Sequence, residues 1–192
     1  MKVYLNEKEP FTVEEVGLLI KNAPNKLHQR LYLILFLTGC RFGEIANLEW
    51  GDLDFENKII QIKNKTNHHT KTRKSRNIPI HPLLYELFNS MDHESNYIFY
   101  SPRNPNKPIK NIRTEFNKLK NKLNIDKNKS IHSFRHALAT EMGKLVSLKI
   151  VGDMLGHADI RTTTRYQHVD TEAMMDALAK MDTKLLKEAI KD

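Results

Sequence analysis

The stretch LHQRLYLILFLTGCRFGE, residues 27–44, predicts a helix buried at the centre of the fold. From Leu27 to about Thr38 the side chains are apolar nearly all round, so no face of this helix is suited to water. Gly39 predicts its C-terminal cap, because glycine readily adopts the left-handed backbone that ends many helices. The apolar run is shorter than the roughly 20 residues that cross a bilayer, so we expect a core helix and no membrane partner.

Further helices are predicted on both sides of this central helix. Upstream, Thr12 and Glu15 form a capping box, a pattern that begins a helix. Downstream, Pro82 is placed to begin another, since proline suits the first helical turn. Apolar residues at spacings of three and four predict helices at residues 112–123, 133–142, 147–155, 159–164 and 171–190, the last with a break near Asp182.

Alternating apolar residues predict a small sheet after the central helices. Ile60 and Ile62 alternate with polar residues, and Ile78 and Ile80 do the same beyond a polar, basic interval. We interpret these as two antiparallel strands around a basic hairpin, with residues 54–55 as a third short strand.

The remaining sequence completes the predicted domain. The run SPRNPNKP at residues 101–108 predicts a loop, because proline and asparagine interrupt regular structure. No internal linker or repeat is evident, so residues 1–192 are predicted to form one domain that ends in a helical segment at residues 171–192. The fold class is therefore α+β, mostly α, with a small three-stranded antiparallel sheet.

The chain is basic, and its basic residues are clustered. Its net charge of +8 comes from 31 Lys and Arg against 23 Asp and Glu. Residues 57–85 contain no acidic side chain, and residues 103–129 contain only Glu115 and Asp126. Clusters of this kind suit a polyphosphate such as DNA, although a solvated lysine-rich surface has the same composition. The single cysteine, Cys40, excludes an internal disulfide and fits a reducing compartment such as the cytoplasm.

Four short stretches carry residues suited to chemistry. They are TGCRFGE at 38–44, TKTRKSR at 70–76, HSFRH at 132–136 and LGHADIRTTTRY at 155–166. Each also has a structural interpretation: Arg41 could cap a helix, and Tyr166 could be a core aromatic. His132 and His136 could share a metal, but the glutamate typical of zinc proteases and an obvious third ligand are missing.

In this order the four stretches resemble the tyrosine recombinase (phage integrase) family. That family has an arginine with a glutamate three residues later, a hairpin lysine, a His-x-x-Arg pair, a Leu-Gly-His and a tyrosine nine residues beyond that histidine. The matching residues here are Arg41, Glu44, Lys71, His132, Arg135, His157 and Tyr166. The resemblance extends from about Phe11 to Asp170 and implies the helical catalytic domain of the family. We expect residues 1–192 to lack the core-binding and arm-binding domains that members usually carry.

The resemblance implies how a DNA phosphate would be held. Arg41 and Arg135 would each fork onto phosphate oxygens and stabilise the charge that builds up in the transition state. His132 and His157 would add hydrogen bonds and could move protons. Glu44 would not react but would orient an arginine by ion pairing.

The resemblance also implies the covalent step. Tyr166 would attack phosphorus, form a 3′-phosphotyrosine and expel a 5′-hydroxyl. Lys71 would protonate that leaving oxygen, because family hairpins place the lysine eight residues before the proline, which is Pro79 here. No acidic cluster, glycine-rich phosphate loop or dinucleotide fingerprint is present, so we expect neither a metal nor a cofactor.

Double-stranded DNA is the expected partner, together with other recombinase protomers in a tetramer assembled on DNA. Four further basic residues are expected to contact the DNA backbone: Lys74, Arg76, Arg103 and Arg113. Two alternatives remain open at this point. A type IB topoisomerase shares the tyrosine and arginine chemistry but relaxes DNA alone, and a DNA-binding module could retain the fold without activity.

Overall fold

The computed structural model describes residues 9–65, 75–156 and 167–190 of the chain. The helices are α1 (Val13–Lys21), α2 (Lys26–Thr38), α3 (Phe42–Ala46), α4 (Pro82–Asn89), α5 (Arg113–Lys122), α6 (His132–Gly143), α7 (Leu148–Leu155), α8 (Gln167–Lys180) and α9 (Lys184–Ile190). The strands are β1 (Leu53–Asp54), β2 (Ile59–Ile62), β3 (Arg76–Pro79), β4 (Tyr100–Ser101) and β5 (Asn104–Pro108). Within these ranges, no helix has the length and apolar character needed to cross a membrane.

Helix α2 lies at the centre of the fold, as its sequence predicts. Every residue from Leu31 to Thr38 is buried, and α1, α3, α4 and α6 pack around the helix. Asn25 caps the first turn, because its side-chain oxygen accepts a hydrogen bond from the His28 N–H at 3.1 Å. Gly39 ends the helix in the left-handed conformation, with φ of 61°. The predicted central helix and its cap are confirmed.

An aromatic cluster holds α5 and α6 against α2. Tyr32 stacks on Phe134 with 5.6 Å between ring centroids, and Phe116 meets Tyr32 edge-on at 5.9 Å. Phe11, which precedes α1, lies 4.9 Å from Phe134. Large rings packed in this way are among the strongest apolar contacts in a core, so they fix the position of α6 beside α2.

Strands β1, β2 and β3 form the predicted three-stranded antiparallel sheet, in that order. Ile60 pairs with Ile78, and both side chains are buried, which explains why apolar residues alternate there. The first strand begins one residue earlier than predicted, at Leu53, and Ile80 lies just beyond β3.

The prediction of a loop at residues 101–108 is wrong, because β4 and β5 form a two-stranded antiparallel sheet there. Tyr100 pairs with Pro108, and Ser101 pairs with Asn104. The residues of β5 before Pro108 are all exposed. Proline is tolerated in such a strand, because its missing N–H removes no hydrogen bond at a free edge.

The C-terminal helices pack on the core formed by the rest of the described chain. The predicted break near Asp182 is confirmed, since residues 181–183 separate α8 from α9. Helix α9 lies against α1, and Leu186 is fully buried. Gln29 Nε2 also donates a hydrogen bond to the Ala189 carbonyl oxygen at 3.1 Å. The segment is therefore docked on its own chain.

The described residues confirm the predicted fold class, mostly helical with small antiparallel sheets. They share one hydrophobic core cluster. The single domain over residues 1–192 stays a prediction, and the helix predicted at residues 159–164 lies outside the described residues.

Candidate active site

The predicted site residues fall into two groups. Those that the structure describes are Arg41, Glu44, Arg76, Arg103, Arg113, His132 and Arg135. Lys71, Lys74, His157 and Tyr166 lie outside the described residues, so their roles stay predictions.

Arg135 joins the C-terminal ends of two helices. Its side chain rises from α6 and is buried. Nη1 donates to the Gly39 carbonyl oxygen at 2.8 Å, at the end of α2. Nη2 donates to the Leu155 carbonyl oxygen at 2.5 Å, at the end of α7. A cation is stabilised at a helix C-terminus by the helix dipole, so both contacts hold this guanidinium in place.

Gly39 is required where these helices meet. Its φ of 61° lies in the left-handed region that other residues rarely adopt. A Cβ at this position would lie 2.5 Å from Leu155 Cδ2 and 2.9 Å from Leu138 Cδ2. The absence of a side chain lets α2, α6 and α7 approach closely enough for Arg135 to bridge them.

Arg41 and Glu44 close the first turn of α3. The Arg41 backbone N–H donates to Glu44 Oε2 at 2.9 Å, and Arg41 Nη1 lies 3.4 Å from Glu44 Oε1. The Arg41 side chain is 22% exposed, whereas that of Glu44 is 1% exposed. Arg41 therefore presents its guanidinium at the surface, while the carboxylate beneath it is enclosed by protein.

Arg76 is predicted to contact the DNA backbone, and that contact stays a prediction, but most of its side chain is enclosed by the protein. Its side chain is 8% exposed. Nη2 and Nη1 bind the two oxygens of Glu44 at 2.7 and 3.1 Å, and Nε donates to the Met154 carbonyl oxygen at 3.0 Å. These contacts give the Arg76 guanidinium a role within the protein that the sequence did not reveal. The two-pronged partner of Glu44 is therefore Arg76, and the predicted role of Glu44 in orienting a catalytic arginine stays a prediction.

The local electrostatics favour an anion. Burial alone would raise the pKa of Glu44, but the hydrogen bonds and charge of Arg76, with smaller effects from Arg41, lower it to about 2. Burial, together with the charges of Arg41 and Arg76, lowers the pKa of Arg135 to about 10. Arg41 and Arg76 contact the single carboxylate of Glu44, and the charges of both arginines reach Arg135. The group therefore retains a positive charge that an anion can neutralise.

Cys40 is buried behind this group and is suited to packing. Its Sγ lies 3.5 Å from Arg76 Nη2, and its N–H donates to Thr38 Oγ1 at 3.2 Å. Burial raises the pKa of the thiol to about 11, although the charge of Arg76 opposes the shift. The thiol is therefore protonated at neutral pH and is a poor nucleophile.

His132 is the first residue of α6 and is exposed. It lies three residues before Arg135, so the two side chains leave neighbouring positions of the helix surface. His136 is also exposed, one turn further on. Among residues 9–65, 75–156 and 167–190, no group of three His, Cys, Asp or Glu side chains could hold a metal ion.

Arg103 and Arg113 are exposed, but the structure does not place them with the arginine group. Glu115, in the same turn as Arg113, lies near His28, where its charge partly opposes the lowering of the His28 pKa by burial. His28 is in the first turn of α2, roughly 16 Å from the Gly39 end at 1.5 Å per residue. The proposed backbone contacts of these two arginines stay a prediction.

Three lysines stabilise the structure around the site through hydrogen bonds and ion pairs that were not predicted from the sequence. Lys65 Nζ lies 2.6 Å from Asp52 Oδ2 and 3.0 Å from the Asn47 carbonyl oxygen, next to α3. Lys120 is buried and donates to three carbonyl oxygens of the loop before α6, those of Asp126, Lys127 and Lys129. Lys129 pairs with Glu15. The hydrogen-bond and ion-pair partners of these lysines are too far away in sequence for a local pattern to predict them.

Known proteins share sequence with most of this chain. The Phage integrase family matches residues 10–173. The tyrosine recombinase XerA of Pyrococcus furiosus is 33% identical over 179 residues, which cover 88% of this chain and 60% of that protein. The chain thus spans about three fifths of the length of this relative.

Solved structures share the fold. The integrase from mycobacterium phage Brujita superposes with a TM-score of 0.72 at 17% identity, covering 98% of this chain and 65% of that one. The Tn1549 transposon integrase, in complex with a circular intermediate DNA, has a TM-score of 0.62 at 22% identity and covers 87% of this chain and 66% of that one. At these identities the likeness is one of fold.

Proposed function

The chain belongs to the phage integrase family, and from that premise we propose that it cuts and rejoins double-stranded DNA as a site-specific tyrosine recombinase. In the proposed reaction the Tyr166 oxygen attacks a backbone phosphorus, a 3′-phosphotyrosine bond forms, and the bond to the 5′-oxygen breaks. Lys71 donates a proton to that leaving oxygen. Attack by another 5′-hydroxyl then releases the tyrosine and restores a phosphodiester, so the cycle needs neither ATP nor a metal ion.

The placement of Arg135 beside the turn that carries Arg41 is the observation that carries the proposal. Arg135 binds the carbonyl oxygen of Gly39, which lies two residues before Arg41. The pKa of Arg135 is lowered first by burial and second by the charge of Arg41. A guanidinium has five N–H donors, and Arg135 uses one on each of two carbonyls, which leaves donors for a phosphate. Two fixed guanidiniums of this kind match the charge that develops on phosphate oxygens.

The surroundings support the remaining assignments. His132 stands on the helix that carries Arg135, at a spacing that suits a second contact to the same phosphate. His157 directly follows Gly156, where α7 ends beside Arg135 and Arg76. These placements support His132 and His157 as hydrogen-bond donors or proton carriers in the proposed reaction.

The setting of the reaction is part of the same proposal. DNA strand exchange takes place within a tetramer of recombinase protomers assembled on DNA, and the enzyme acts in the cytoplasm on a mobile element. The structural likeness to a transposon integrase in complex with DNA supports the DNA partner and the mobile element. A single buried cysteine is compatible with a reducing compartment.

A nicked DNA pool tests the proposal. Wild-type protein is incubated with duplexes that carry a randomised 30-base-pair core and one nick per strand, and covalent adducts are recovered after denaturation. We expect a protein–DNA adduct that forms in EDTA, survives denaturation and is absent in Tyr166→Phe. Tyr97→Phe is the matched control and should form the adduct. An adduct that requires a divalent metal, or that persists in Tyr166→Phe, would contradict the mechanism, and relaxation of supercoiled DNA without strand transfer would favour a topoisomerase.

A further inference from the structure

Arg76 contacts two separate parts of the candidate site through one guanidinium. Both Nη atoms bind the Glu44 carboxylate, at 2.7 and 3.1 Å. Nε donates to the Met154 carbonyl oxygen at 3.0 Å, in the last turn of α7. The planar, forked geometry of arginine makes these contacts simultaneous, whereas the single ammonium of a lysine cannot span both acceptors in the same way.

On one side, the contacts lead to Arg41. Glu44 receives the fork of Arg76 and, with the same carboxylate, accepts the Arg41 backbone N–H at 2.9 Å. The carboxylate side chain is 1% exposed, so water does not compete for it. Arg76 therefore fixes the Glu44 carboxylate, and this carboxylate in turn holds the Arg41 backbone at the start of α3.

On the other side, the contacts lead to the end of α7. Gly156 has φ of +69°, and a Cβ there would lie 3.1 Å from Arg76 Cδ and 3.3 Å from its Nε. Arg76 is thus packed directly against the turn that ends α7. The neighbouring Leu155 carbonyl oxygen is held by Arg135, so two arginines bind consecutive carbonyls of the same helix terminus.

These contacts form a closed structural link between the two phosphate-binding arginines. We infer that Arg76 is a positioning residue for the proposed reaction: it ties the Arg41–Glu44 turn to the end of α7 and so sets the relative placement of Arg41 and Arg135. It acts through Glu44 and Met154 and does not touch DNA. The inference rests on the proposed function, since a positioning role has meaning only for a site that binds a reacting phosphate.

The reaction would be sensitive to this placement. Catalytic groups displaced by about 1 Å commonly lose on the order of 100-fold in rate, because the reacting geometry is no longer held in place. DNA affinity depends instead on the number of phosphates that basic residues neutralise. A positioning residue and a backbone contact therefore affect different measurements.

Arg76→Lys tests the inference, with Arg30→Lys as a matched control at the opposite end of α2. Two quantities are measured: the salt dependence of binding to a 30-base-pair duplex, and the single-turnover rate of adduct formation with the nicked pool at saturating DNA. We expect Arg76→Lys to lower the adduct rate by about 10- to 100-fold. Its plot of log affinity against log salt should keep the wild-type slope. Arg30→Lys should leave the adduct rate unchanged.

Two outcomes would overturn the inference. The first is an Arg76→Lys protein that forms adduct at the wild-type rate. The second is a salt slope reduced by about 0.9, the value for one lost phosphate contact. A double variant, Glu44→Gln with Arg76→Met, removes both members of the buried ion pair, and its glutamine can still accept the Arg41 N–H. It should fold and show the same loss of rate, and wild-type activity in this variant would also refute the role of Arg76.

Amide hydrogen exchange separates failure of the inference from failure of the proposed function. In Arg76→Lys, the amides of Leu155, Gly156 and Arg41 should exchange about 10-fold faster than in wild type, while those of α1 stay unchanged. If wild-type protein forms no adduct but exchange responds in this way, the recombinase proposal fails and the structural link stands. If the exchange rates of all three amides were unchanged, the structural link through Arg76 would be refuted.

Discussion

Lys129 and Glu15 form a two-pronged ion pair across 114 residues of chain. The Lys129 Nζ lies 2.7 Å from Glu15 Oε2 and 2.9 Å from Oε1. The lysine side chain is 9% exposed and the glutamate side chain 22%. Glu15 also closes the capping box of α1 with Thr12, so the pair fixes the loop before α6 to the first turn of α1. Part of the basic character of residues 103–129 is therefore structural.

Replacing Lys129 with methionine should destabilise the fold. The salt dependence of DNA binding should stay the same as in wild type. Loss of a largely buried partner leaves Glu15 unpaired, and we expect the free energy of unfolding to fall by about 2 kcal/mol in urea titrations. Lys118→Met is the control on exposed α5 surface, where loss of a surface ion pair costs roughly 0.5 kcal/mol or less. If Lys129→Met were as stable as wild type but its plot of log affinity against log salt had a smaller slope, Lys129 would be a phosphate contact.

Arg41→Lys and Arg135→Lys should have the same effect on DNA cleavage and different effects on stability. In the proposed reaction each variant lacks one forked phosphate contact, so we expect the single-turnover adduct rate to fall by about 100- to 1000-fold. Arg135 also caps two helix ends, and its loss should lower the free energy of unfolding by about 1–3 kcal/mol. Within the described residues, the Arg41 side chain contacts Glu44 and no helix carbonyl, so its variant should unfold within about 0.5 kcal/mol of wild type. Equal stability losses in urea would contradict this division of roles.

His81 should make stability depend on pH. Its Nδ1 accepts the Leu83 N–H at 3.0 Å and caps α4. Burial, assisted by the charge of Lys187, lowers its pKa from 6.5 to about 4, although a hydrogen bond to the Leu178 backbone opposes the shift. The folded state thus binds this proton less readily than the unfolded chain. The stabilisation is complete above pH 6.5 and is lost as pH falls towards 4, by about 3 kcal/mol in total.

His81→Asn isolates that effect. Asparagine is a good N-cap and does not titrate, so the variant should keep α4 capped and lose most of the change in unfolding free energy between pH 7 and pH 4.5. The measurement is a set of urea titrations across this range. Parallel curves for wild type and variant would show that His81 is not the titrating group.

The C-terminal segment should keep the protein monomeric without DNA. Helix α9 is docked on α1 of its own chain, so a site on a neighbouring protomer is not needed to cover its apolar face. Light scattering without DNA should give the monomer mass, and a stable tetramer would contradict this expectation. Leu186→Ala should cost about 2–4 kcal/mol in the free energy of unfolding, because it leaves a cavity in the core. Leu185→Ala, at a position that is 42% exposed, is the control and should cost much less.

Local sequence patterns predicted the features that depend only on residues close together in the sequence. The capping box of Thr12 and Glu15, the buried α2 and the cap at Gly39 depend on neighbouring residues, and each is present in the structure. The β4–β5 pairing escaped prediction because proline disfavours a strand unless its edge is free.

Long-range contacts explain why the role of Arg76 within the protein was not predicted. In sequence it belongs to a basic hairpin, which suggested a DNA contact. Its partners Glu44 and Met154 are 32 and 78 residues away, so only the folded chain reveals that the guanidinium is enclosed. The family resemblance indicated both Arg41 and Arg135, because it carries information about distant residues that periodicity lacks.

The burial of Cys40 has a practical consequence. It is the only cysteine in the chain, and because its thiol is enclosed and its pKa is raised, we expect it not to react with maleimide reagents at neutral pH. A second cysteine placed on the surface, as in Lys118→Cys, would then be the sole site of attachment for a dye or spin label. The natural sequence can therefore serve directly as the background for distance measurements by fluorescence or electron paramagnetic resonance.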